Sequence, residues 1–120
     1  MPVASYRELI AWQKAMDLVV DVYQLSAGFP SSELYGLTNQ VRRAAASVPS
    51  NIAEGQGRGI GGEFAHHLRI AQGSRQEVET QLLLATQLGF LPEGRVQDTL
   101  SRSEELGRVL SGLLRSVSPN

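Results

Sequence analysis

Leu34, Leu37, Val41, Ala44, Ala45, Val48 and Ile52 recur three or four residues apart, and the run passes through a proline at position 49. That spacing places them on one face of a helix. A proline inside a helix removes a backbone donor and crowds the preceding turn. Ile52 and Ala53 nevertheless continue the stripe beyond Pro49. The expectation is therefore a kinked helix over about 31–54, not a stop. Ser31, Ser32 and Glu33 supply its start signal, and Gly55 is the expected residue just past its end. The run Ala44-Ala45-Ala46-Ser47 is small-sided, so another helix can approach closely there.

The remaining segments supply such helices. Ser5-Tyr6-Arg7-Glu8 reads as a capping box, with Ser5 accepting from the N–H of Glu8. Leu9, Trp12, Met16, Val19, Val20 and Tyr23 then form the expected core stripe of a helix over about 5–26. A third helix starts near Gly62 or Glu63, with Phe64, Leu68, Ala71, Val78, Leu82 and Ala85 inward and Leu83 and Leu84 widening the stripe. Its mid-helix Gly73-Ser74 is tolerable if a neighbouring helix needs the room. Gly89 ends that helix, and Leu91-Pro92-Glu93 opens a fourth. The fourth stripe is Val96, Leu100, Leu106, Leu110, Leu113, Leu114 and Val117, and Ser118-Pro119-Asn120 is a frayed end. Tyr6, Tyr35, Leu83 and Phe90 hint at a second buried face. No segment shows the alternation of a strand. The fold class is all-α: one domain over residues 1–120, an up-down-up-down four-helix bundle.

Composition narrows the function classes. With 42% hydrophobic and 19% charged residues the chain is globular. It has no cysteine, which excludes thiolate catalysis and cysteine-ligated metal. Its net charge of −1 argues against binding nucleic acid by bulk attraction. The middle is locally basic, however: residues 42–75 carry five arginines against Glu54 and Glu63. No signal-peptide pattern and no spanning apolar run are visible, so a cytoplasmic protein is expected.

Gly57-Arg58-Gly59-Ile60-Gly61-Gly62 matches the dinucleotide fingerprint by letter, but a helix precedes it where that motif needs a strand. It reads as an interhelix loop. Glu63-x-x-His66 is half of a di-metal helix motif, but a second unit is lacking and His67 points about 100° away from His66. The histidines are expected to be solvated or at an interface. No nucleophile–base pair is recognisable, and no catalytic residue, cofactor or metal is expected. Two readings of the central polar residues stay open. Gln40, Ser47, Asn51 and Glu54 form a structural network that fixes the second-to-third helix turn. Arg42, Arg43, Arg58, Arg69 and Arg75 are the candidate anion or nucleic-acid contacts.

Several motifs also carry a family resemblance. They are Phe29-Pro30-x-x-Glu33-x-Tyr35-Gly36-Leu37; Gln40-Val-Arg-Arg-Ala-Ala-x-Ser47-Val-Pro-Ser-Asn51-Ile-Ala-Glu-Gly55; Arg58; Glu63-Phe64; and Ile70-Ala71-x-Gly73-Ser74-x-x-Glu77. The chain resembles the four-helix-bundle proteins encoded in intervening sequences of bacterial large-subunit ribosomal RNA genes. The accessory variability proteins of diversity-generating retroelements are relatives of that family. The resemblance implies a homopentameric ring and no established enzymatic activity. The retroelement proteins bind nucleic acid and a reverse transcriptase through a strongly basic surface, from which this chain departs in charge. The expected function is a non-enzymatic, self-assembling binding or scaffold module that contacts RNA or DNA backbone through the central arginines. The alternative is a purely structural oligomer or protein–protein adaptor, its arginines paired across subunits with Glu54, Glu63, Glu77 or Glu79.

Overall fold

A computed structural model describes residues 5–59 and 62–118. Ile60 and Gly61 of the glycine-rich loop, and the terminal Pro119-Asn120, lie outside them. Four helices make up the described chain: α1 (Ile10–Ser26), α2 (Leu37–Arg58), α3 (Glu63–Gln87) and α4 (Glu93–Val117). Each helix packs on its neighbours in the order α1–α2–α3–α4–α1, and neither diagonal pair is in contact. Neighbouring helices, about 25–38 Å long, are antiparallel: Ser47 meets Ser74 and Asn51 meets His67 between α2 and α3, Gln72 meets Ser111 and Arg75 meets Ser103 between α3 and α4, and Lys14 meets Glu105 and Asp21 meets Arg102 between α1 and α4. The bundle measures 45 × 25 × 23 Å.

The core is aliphatic. Leu18, Val22, Val41, Val48, Ile52, Leu68, Val78, Leu82, Val96, Leu106 and Leu110 are fully enclosed. Each such side chain contributes on the order of 1.5–3 kcal/mol by leaving water. Phe29 and Phe90, from the first and last connections, meet at 5.8 Å and close one end.

Helix limits depart from expectation at three places. The capping residues at 5–8 form a separate 3₁₀ turn, in which Ser5 Oγ accepts from Arg7 N–H and the Glu8 N–H goes to the Ser5 carbonyl. Leu9 is extended, so α1 begins only at Ile10. Ser31–Glu33 is likewise a 3₁₀ turn. The group that caps α2 is the Glu33 carboxylate, which accepts from Leu37 N–H at 3.0 Å. A Cβ on Gly36 would lie 2.8 Å from that carboxylate, so glycine is what admits it.

The third departure is at the far end of α2. The helix continues through Pro49, which is buried, and through Gly55 to Arg58. Gly59, at φ 59°, is the terminating residue. Gly55 serves packing instead: a Cβ there would stand 2.7 Å from His67 Cβ and 3.1 Å from the Phe64 ring. α2 and α3 approach each other closely there.

The inward face of α1 also differs. Ala11, Ala15, Leu18, Val22 and Leu25 are buried, while Met16, Val20 and Tyr23 are exposed and Leu9, Trp12 and Val19 are only half-buried. The helix carries two apolar stripes, and the one with small alanines faces inward because it lets neighbouring backbones come close. Leu83 and Leu84 of α3 and Leu34 also lie outside the core. Tyr35 is 91% exposed. No strand occurs among the described residues.

Candidate functional site

The structure sends the five central arginines in different directions. Arg42 turns toward α1. Its Nε donates to Ser26 Oγ at 2.8 Å, its Nη2 reaches the Tyr23 carbonyl at 3.4 Å, and its guanidinium lies 4.5 Å over the Tyr23 ring. A cation at the last turn of a helix is well placed against the helix dipole. Arg58 forms a surface pair with Glu54 at 2.8 Å, one turn back on α2. The hydrogen bond from Arg58 holds the Glu54 carboxyl below its ordinary range, and Glu54 raises Arg58 in return. Arg43 and Arg69 are exposed and have no acceptor among the described residues.

Arg75 is the outlier. It is 9% exposed, between α3 and α4. Its Nε donates to Gln72 Oε1 at 2.8 Å, and its Nη1 to Glu79 Oε2 at 2.6 Å and to the Ser103 carbonyl at 3.3 Å. Ser103 Oγ donates to the same Glu79 oxygen at 2.6 Å. Gln72 Nε2 crosses to the Gly107 carbonyl and Ser111 Oγ. Gly107 makes the space, since a Cβ there would be 2.7 Å from the Arg75 guanidinium carbon. Arg75 and Glu79 sit one turn apart, a pairing the sequence permits. What it does not announce is that a glycine on another helix buries the pair.

The expected network around the second helix is present in part. Asn51 Nδ2 donates to the Ser47 carbonyl and to Ser47 Oγ, at 2.9 and 3.0 Å. Ser47 Oγ meets Ser74 Oγ at 2.9 Å. Asn51 Oδ1 lies 3.0 Å from His67 Nδ1, which makes that nitrogen the protonated one. Asn51 therefore bridges α2 to α3. Glu54 belongs to Arg58 instead, and Gln40 is exposed outside the network. Ser74 and His67 are the members that sequence reasoning missed. The mid-helix Gly73-Ser74 and the adjacent histidines were the available signals. Gly73 itself makes no room for any described residue, because none lies within 4 Å of where its Cβ would be.

Two apolar faces remain uncovered. On α1 these are Met16, Val20 and Tyr23, beside half-buried Trp12 and Val19. On α3 they are Ile70, Leu84 and Leu88, with Gly73 in the same stripe and Leu83 at its edge. The two helices are diagonal in the bundle, so these faces point to opposite sides. Among the described residues, no group of three or more His, Asp or Glu side chains is placed to share a metal ion, and no helix is long and apolar enough to cross a membrane.

These features define an all-α four-helix protein with two exposed apolar faces and a buried, solvent-edged arginine. The model of the 23S rRNA-intervening sequence protein family matches residues 7–112, and the chain belongs to that family. Comparison with curated proteins gave no match.

Proposed function

We propose that this chain is a non-catalytic, self-assembling scaffold of the cytoplasm, whose copies join head to tail through the α1 face of one and the α3 face of the next. The observation that carries this reading is the pair of unlike apolar faces on opposite sides of the bundle. Apolar side chains at this density on two helices gain free energy by mutual burial. Two different surfaces in contact form a heterologous interface, which closes into a ring or runs on as a filament. The pentameric ring implied by the family resemblance is such a closure. Gly73, vacant within the protomer, lies in the α3 stripe and lets a neighbouring helix approach. Arg43, Arg69 and the Glu54-paired Arg58 are the side chains this reading assigns to an RNA or DNA backbone. Within the chain, Glu54 pairs with Arg58 and Glu79 with Arg75.

Val20→Glu and Leu84→Glu test the head-to-tail arrangement. Each variant alone is expected to be monomeric, with one intact face. Mixed, they are expected to form a one-to-one dimer near twice the 13.0 kDa protomer mass. Failure of the mixture to associate, or full assembly of either variant alone, would show that these faces do not meet.

A further inference from the structure

An open groove of about 620 Å³ runs between α3 and α4, bounded by Gln72, Arg75, Gln76 and Glu79 on one side and Glu104, Gly107, Arg108, Ser111 and Arg115 on the other. That volume is in the range of small-molecule sites. Its floor holds the most deeply buried cation described in the protein. Arg75 spends Nε and Nη1 on Gln72, Glu79 and Ser103. Its Nη2 has no acceptor among the described residues, although the side chain is nine-tenths buried and borders the groove. Nη2 therefore meets solvent at the groove, where an anionic oxygen can accept from it in a charge-assisted bond.

The charge around it has the matching sign. Three guanidiniums line the groove against two carboxylates, and Glu79 is already taken by Arg75 and Ser103. Ser111 Oγ accepts from Gln72, which leaves its own proton to donate. Gly107 leaves room for the guanidinium, since a Cβ there would stand within 3 Å of it. The walls offer donors, three cations and two carboxylates, and no aromatic side chain.

We propose that this groove binds a phosphate monoester. Arg75 Nη2 is the recessed donor, Arg108 and Arg115 are the flanking cations, and Ser111 is a neutral donor. The groove keeps a net positive charge against its one unpaired carboxylate, Glu104, and a dianion is attracted to it more strongly than a singly charged phosphodiester or carboxylate is. The proposal does not depend on the assembly of copies, because every residue it uses belongs to one protomer.

Amide-resolved NMR titration at constant ionic strength tests it, with inorganic phosphate, AMP and adenosine as probes. Phosphate and AMP are expected to give saturable shifts over residues 72–79 and 104–115, with adenosine silent. Arg108→Ala and Arg115→Ala, both surface changes, are each expected to weaken AMP about tenfold. Gly107→Ala is expected to weaken it further by displacing Arg75. The proposal is overturned by the absence of saturable shifts below about 10 mM phosphate or AMP, by equal response to adenosine, or by unchanged affinity in both arginine variants. An RNA lacking terminal phosphates that bound as well as AMP would place the contact on phosphodiesters and overturn the monoester assignment.

Discussion

Gly55→Ala is the sharpest probe of how α2 and α3 are held. The added Cβ would lie 2.7 Å from His67 Cβ and 3.4 Å from Phe64 Cα. Ordinary carbon contacts sit at about 3.5–4.0 Å, so the shortfall at His67 is roughly 1 Å. Neither Cβ can swing away by changing rotamer, because both are fixed to backbone. The helices must part, which strains the 3.0 Å Asn51–His67 and 2.9 Å Ser47–Ser74 contacts. Overpacking of this kind costs about 1–3 kcal/mol, partly offset by roughly 1 kcal/mol from alanine's helix preference. Gly57→Ala is the control, because it lies on the same helix with no described residue within 4 Å of its Cβ. Gly55→Ala is expected to be about 1–3 kcal/mol less stable than Gly57→Ala. Urea denaturation followed by far-ultraviolet circular dichroism, at matched protein concentration, measures the difference. If Gly55→Ala proves as stable as Gly57→Ala, the close approach of α2 and α3 is wrong.

Other consequences follow from the same contacts. Glu79→Ala strands the buried Arg75 charge and is expected to destabilise the fold by about 3 kcal/mol, more than Arg75→Met combined with Glu79→Leu; denaturation midpoints of the two variants decide this. Glu105 is held below its ordinary carboxylate range by Lys14, 2.9 Å away. A depressed carboxyl stabilises the fold above its unfolded value and loses that contribution as pH falls through the lowered folded one. Glu105→Gln is therefore expected to flatten the acid limb of a stability–pH profile, and an unchanged limb would remove the pair from the account. Gly73→Ala is expected to stabilise an isolated protomer, by about 1 kcal/mol of helix preference, yet to weaken self-association; mass measured across a dilution series separates the two effects.

The four helices and their order were legible because a period near 3.6 and punctuating glycines are local signals. The inward face of α1 was not, because Trp12, Met16, Val20 and Tyr23 make as regular a stripe as Ala11, Ala15, Leu18 and Val22. Periodicity finds both stripes and cannot rank them when the larger one is left outside. Gly55 and Gly59 were confused for a similar reason. Either could end a helix by its chemistry, and only the nearness of His67 and Phe64 makes Gly55 a packing residue. The site was legible in composition more than in arrangement. The sequence shows five arginines crowded into the centre of the chain. It does not show that Arg42 caps α1 or that Gly107 on α4 opens a place for Arg75, since both depend on contacts between separate helices.

The mass of the purified wild-type protein in solution tests the central claim most directly. Size-exclusion chromatography with light scattering, run at several concentrations, is expected to give one species at a multiple of 13.0 kDa, fivefold for the ring that the family resemblance implies. A mass of 13.0 kDa that persists at every concentration would contradict it, and the exposed faces of α1 and α3 would not be subunit contacts.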